Sequence, residues 1–176
     1  TQRRAKGETL CGDLWRYFKI DEQTEAVFLI DGMGIGDRAY RQSLYAADML
    51  EELLKSAVPI EKALKLINNH LLLSNFSESF VTLEVLIVNL LDLSGELYKA
   101  AGTTSYLLHA EKIEKITASS LPLGILSDGR AVKQRLNLQI GDRLFLFSDG
   151  LAESREDWAE YLPTLPASAE AAANEL

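Results

Sequence analysis

The stretch FVTLEVLIVNLLDLSGELYKAA, residues 80–101, decides the fold. From Phe80 to Leu93 it is rich in β-branched and aliphatic residues, and Leu93-Ser94-Gly95 closes a hairpin into a second strand. Within it Leu83–Val88 reads as apolar on both faces, and so does Leu144–Phe147 in RLFLFSDGLAES, residues 143–154. Such strands need cover on both sides, for instance by another sheet and by helices. Two sheets sandwiched by helices satisfy this.

Upstream, Leu14–Ile20 and Ala26–Ile30 read as strands separated by the polar stretch Asp21–Glu25. Tyr40, Leu44, Ala47, Leu50 and Leu54 recur at helical intervals and predict a helix from about Arg38 to Ser56. Pro59 suits the first turn of a second helix, whose stripe is Ile60, Ala63, Leu64, Ile67 and Leu71. Downstream, Ser105–Ala110, Ile113–Thr117, Val132–Leu138 and Arg143–Ser148 continue the strand pattern, with Gly124, Gly129 and Gly141 as turns. The tail ends in ASAEAAANEL, a helix opening with Ser168 as its cap. All 176 residues are expected to form a single domain, cut short at both ends.

Eighteen basic residues against 26 acidic ones leave a net charge of −8, which argues against a nucleic-acid surface. The single cysteine, Cys11, excludes an internal disulfide and agrees with a reducing, cytoplasmic compartment. Apolar runs such as Val85–Val88 fall far short of the roughly 20 residues that span a bilayer, so no membrane contact is expected.

Asp-Gly ends a buried-type strand twice, in AVFLIDGMGIGDRA (26–39) and in RLFLFSDGLAES, and Asp13 follows a glycine in TLCGDLWRY. Asp-Gly is a common turn pair, but neither copy precedes the short returning strand of a hairpin. Two carboxylates about 4 Å apart at an effective dielectric near 20 repel by about 4 kcal/mol, a large part of a domain's stability. A hard divalent ion such as Mg²⁺ or Mn²⁺ removes that penalty, and Gly32 could add its backbone carbonyl as a ligand.

Other chemistries fit less well. Gly32, Gly34 and Gly36 form G-x-G-x-G, not a dinucleotide fingerprint, and Asp31 would repel a pyrophosphate. Arg16 lies one residue short of the C-x5-R loop of cysteine phosphatases, so Cys11 reads as structural. His70 and His109 have no Cys or His partner nearby, which argues against zinc.

The motifs CGD, DGMGIGDRA, SLPLGIL and GDRLFLFSDGLAE, in this order between about Lys6 and Glu153, resemble the PPM-type (type 2C) metal-dependent serine/threonine protein phosphatases. Met33 after Asp31-Gly32 favours the branch of the stage II sporulation protein E phosphatase domain. The resemblance implies an α+β fold, a four-layer α/β/β/α sandwich of two antiparallel sheets flanked by helices. It implies two ions, Mn²⁺ or Mg²⁺, with Asp31 bridging them, the Gly32 carbonyl on one, Asp149 on the other, and Asp13 bound directly or through water. A bridging water would then attack the phosphorus in line, with no phosphoenzyme. The implied substrate is a phosphorylated anti-anti-sigma factor in a bacterial switch, and an attached sensor or membrane domain and a homodimer are compatible with the family.

Two departures qualify the resemblance. The family's last metal-binding aspartate, in an Asp-Asp pair before a final strand, has no counterpart after Asp157, and Glu153, Glu156 and Asp157 lie too early for it. Phosphate-binding cations are scarce, with only Arg4 or Lys6 placed to serve. The alternative is therefore a weak or silent PPM-like domain that docks a partner or relays a signal through the helices of residues 38–72.

Overall fold

The computed structural model describes residues 11–34, 36–73 and 80–176. Its larger sheet is antiparallel, in the order β1 (Asp13–Lys19), β2 (Thr24–Gly32), β3 (Val81–Asn89), β4 (Ser94–Ala100) and β7 (Val132–Asn137). The smaller has the order β6 (Lys112–Ile116), β5 (Ser105–His109), β8 (Arg143–Phe145), again antiparallel. The helices are α1 (Gly36–Lys55), α2 (Ile60–Leu73), α3 (Asp149–Ala152), α4 (Trp158–Tyr161) and α5 (Ala169–Glu175), with a 3₁₀ turn at Leu162–Thr164.

Strand alternation sorts side chains into three cores. Ala26, Phe28 and Ile30 of β2, with Val81, Leu83 and Val85 of β3, pack under the stripes of α1 and α2, which include Leu50, Leu54, Leu64 and Ile67. On the opposite face Val27, Leu86, Val88 and Leu97 meet Leu107, Ile116, Leu144 and Leu146 between the sheets. Tyr106, Phe145 and Phe147 line the outer face of the smaller sheet against Trp158, Leu162, Leu165 and Ala172. Helix, sheet, sheet and helix layers thus follow in the order implied by the resemblance.

Local chemistry fixes the ends of these elements. Leu93 takes a left-handed turn (φ 57°) between β3 and β4, and Ser168 caps α5 by accepting from the Ala171 N–H. Arg16 ties β1 to α1 through Asp48 at 2.6 Å and Glu51 at 2.9 Å.

Three details differ from the sequence reading. α1 opens at Gly36, ahead of the expected Arg38. β8 ends at Phe145, because its ladder with β5 stops at the Tyr106–Phe145 pair and the chain then turns into α3. Nor is Leu83–Val88 wholly apolar within the fold: Glu84 points between the sheets and is 2% exposed. Among the described residues, no helix is long and apolar enough to cross a membrane.

Candidate active site

Asp13 and Asp31 are brought together by strand register. β1 and β2 pair antiparallel with Asp13 opposite Asp31, so both carboxylates leave the same face of the larger sheet at its open end. Along β2 the odd-numbered Val27, Leu29 and Asp31 point away from the helices, and the even-numbered residues point under them.

Gly32 lies on the helical side. A Cβ there would stand 2.3 Å from the Ala39 carbonyl oxygen and 2.6 Å from Ser43 Oγ, so α1 can sit this close to the strand end only over glycine. Ser43 donates to the Gly12 carbonyl at 2.5 Å, and the Gly32 N–H donates to the same oxygen at 3.4 Å. Helix α1 therefore holds the Cys11-Gly12-Asp13 and Asp31-Gly32 corners against each other.

Asp149 arrives from the other sheet. It opens α3 just past β8, is exposed, and its Oδ1 accepts from the Gly150 N–H at 2.5 Å. Asp31, Met33, Thr82, Glu84, Thr103 and Asp149 line one cleft of about 190 Å³ where the two sheets splay apart.

The electrostatics of this cleft are set by burial and by carboxylate repulsion. Burial first, then the charges of Asp13 and Asp149 and a hydrogen bond that the protonated Asp31 donates to Asp13, push the Asp31 carboxyl up to about 7. Among the described residues, no three acidic, histidine or cysteine side chains converge into a ready-made cage. The arrangement is instead a hydrogen-bonded pair with a third acid across the cleft. Hard divalent ions accept such a site, since Mg²⁺ keeps several waters and uses one or two carboxylates.

The other residues singled out in the sequence lie elsewhere. Asp157 is paired with Arg155 at 2.7 Å, His109 contacts Asp142 at 2.7 Å, and His70 stacks on Tyr45 with ring centroids 4.1 Å apart. Arg4 and Lys6 lie outside the described residues.

The sequence reading missed Glu84, Lys99, Gly102 and Thr103. Glu84 and Gly102 line the cleft with Thr103, and Lys99 pairs with Glu84 at 2.7 Å beneath them. The available signal was a charge, Glu84, in the apolar strand β3, with Lys99 across the hairpin where the two fall opposite each other.

Comparison with known proteins bears on the family and the fold. The family described as "Stage II sporulation protein E (SpoIIE)" matches residues 21–175. Stage II sporulation protein E of Bacillus subtilis (strain 168) is 32% identical over 147 residues, covering 84% of this chain but 18% of that protein. The chain thus spans less than a fifth of the length of that relative. The crystal structure of the PP2C phosphatase domain of B. subtilis SpoIIE with a fragment of its regulatory domain superposes with a TM-score of 0.82 at 29% identity, covering 98% of this chain and 54% of that one. RsbX in complex with magnesium shares the fold at a TM-score of 0.81 and 18% identity, over 99% of this chain and 83% of that one. With two antiparallel sheets between helical layers and a match over residues 21–175, the chain belongs to the stage II sporulation protein E family and has the fold of its PP2C-type phosphatase domain.

Proposed function

We propose that this chain hydrolyses phosphoserine or phosphothreonine on a regulatory protein, a phosphorylated anti-anti-sigma factor, with Mn²⁺ or Mg²⁺ as cofactor. The observation that carries the reading is the Asp13–Asp31 pair set by the β1–β2 register, with Asp31 and Asp149 lining one cleft and the charges of Asp13 and Asp149 helping burial to push Asp31 up to about 7. Family membership and the magnesium bound by the similarly folded RsbX support it.

Asp31, the Gly32 carbonyl, Asp13 and Asp149 would hold the cation or cations. Bound there, the metal would supply positive charge for the phosphoryl oxygens and activate a water for in-line attack. The chain's own groups do the rest. Asp31, raised by burial and by the charges of Asp13 and Asp149, would give up its proton when a cation binds, and the β1–β2 register holds it opposite Asp13. Met33 and Leu29 give the cleft apolar walls beside the acids. No side chain in the lining is placed as a covalent nucleophile, since Thr82, Thr103 and Ser148 have no histidine or lysine beside them in the lining to activate them.

The test is turnover of p-nitrophenyl phosphate and of a phosphoserine protein with and without Mn²⁺. Activity that requires Mn²⁺ and falls at least about 100-fold in Asp31→Asn is expected, about 3 kcal/mol of barrier. Metal-independent turnover, or full activity in that variant, would overturn the reading. A relay module without turnover is the second reading, favoured by the direct seating of α1 on Gly32. It predicts that Mn²⁺ raises the melting temperature while no phosphoprotein is hydrolysed.

A further inference from the structure

The most unusual group outside the acidic cluster is a lysine ammonium sealed between the sheets. Lys99 and Glu84 have side chains only 2% and 3% exposed and pair at 2.7 Å, directly opposite each other on β4 and β3. The ammonium has three donors, and all three are used: Glu84 Oε2, Ser105 Oγ, and the Thr103 carbonyl at 2.8 Å. Ser105 in turn donates to Glu84 Oε2. Burial pushes the Glu84 carboxyl up and the Lys99 ammonium down, each opposed by its partner.

What the ammonium grips is the turn leaving β4. Ala101 and Gly102 are both left-handed, at φ 55° and 85°, a costly conformation for alanine. The turn is pinned from outside as well, since Ser120 Oγ accepts from the Ala101 N–H at 2.9 Å and donates to the Lys99 carbonyl at 3.1 Å. At Gly102 a Cβ would come within 2.8 Å of Glu84 Oε1. Thr103, held by Lys99 through its carbonyl, donates its own hydroxyl to the Phe147 carbonyl at 2.8 Å.

Phe147 lies past the last rung of the β5–β8 ladder and two residues before Asp149. We propose that Lys99 and Thr103 are positioning residues: the buried Glu84–Lys99 pair fixes the turn at 101–103, and the Thr103 hydroxyl sets the backbone at Phe147 that carries Asp149 into the cleft. This rests on the reading of Asp149 as a metal ligand. Partners that orient a metal ligand commonly change metal affinity about 10-fold or more when removed. A pair present only for stability behaves differently, because apolar replacement of both members is often tolerated.

The test uses the whole chain stripped of metal and titrated with Mg²⁺ by calorimetry, beside metal-free melting temperatures. Thr103→Val is expected to weaken Mg²⁺ binding about 10-fold with little change in metal-free melting, and Thr103→Ser to restore binding. Glu84→Leu combined with Lys99→Met is expected to fold and yet bind Mg²⁺ weakly. Backbone amide exchange at residues 148–153 of the metal-free protein is expected to speed up in Thr103→Val and not in Thr103→Ser. Wild-type binding matched by Thr103→Val, or full binding in the double variant, would overturn the inference and leave the metal site standing. No Mg²⁺ binding by the wild type, with Mn²⁺ equally silent, would overturn the metal-site reading and this inference with it.

Discussion

At the scale of the residue, Asp31 is a carboxyl held where it is most costly to ionise. Its folded value near 7 lies above the ordinary 3.8 because of burial and the Asp13 and Asp149 charges. The folded state therefore binds more protons than the unfolded state between about pH 4 and pH 7, and stability contributed by this group is lost as pH rises through that window. Asp31 is partly exposed, so solvent screening limits the effect to roughly 1–2 kcal/mol at pH 7.5, a few degrees in melting temperature. Without metal, Asp31→Asn should melt higher than wild type at pH 7.5 and no higher at pH 3.5. A difference that does not change with pH would show that the acids do not interact. The same variant should lose the upward shift that millimolar Mn²⁺ gives the wild type, because ion binding stabilises only the folded state.

At the scale of the element, the glycine after Asp31 is a packing residue as much as a ligand candidate. Gly32→Ala places a methyl against the Ala39 carbonyl and Ser43 Oγ and must push α1 away from β2. About 1–3 kcal/mol of destabilisation is expected, several degrees in a thermal melt, even in chelator where no metal function is at stake. Unchanged melting would mean that α1 shifts freely on the strand end. The elements themselves were legible from sequence because their punctuation is local: Leu93-Ser94-Gly95, Pro59 and Ser168 mark ends that the structure keeps. Asp13, Asp31 and Asp149 were readable as a candidate set because each sits beside a glycine at the edge of a strand-like stretch; the structure sets Asp13 opposite Asp31 and puts Asp31 and Asp149 on one cleft. The Lys99–Thr103–Phe147 chain was not, since it depends on cross-strand register and on a left-handed turn at Ala101, a residue with no turn preference of its own. The phosphate-binding expectation for Arg4 and Lys6 falls outside the described residues, and its support is still the resemblance alone.

At the scale of the whole molecule, the acids belong to different layers: Asp13 and Asp31 to the larger sheet, Asp149 to the segment leaving the smaller one. Among the described residues each layer has its own core on its outer side, and a third core is shared between them. The two tryptophans fall one to each half, with Trp15 on β1 and Trp158 packed at 4.6 Å from Phe147. A cation held by acids from both halves would act as a stitch, and its removal would loosen the cooperativity of unfolding. In a Trp15→Phe background, Trp158 fluorescence should report an earlier urea transition than far-ultraviolet dichroism in chelator, and the two curves should merge in Mg²⁺. Coincident curves in chelator would mean that the shared core and the polar links of Glu84, Lys99 and Ser105 couple the halves without a cation. If the divided carboxylates hold a cation as proposed, metal content becomes a property of mechanical integrity, and stripping the ion would leave a softer solid.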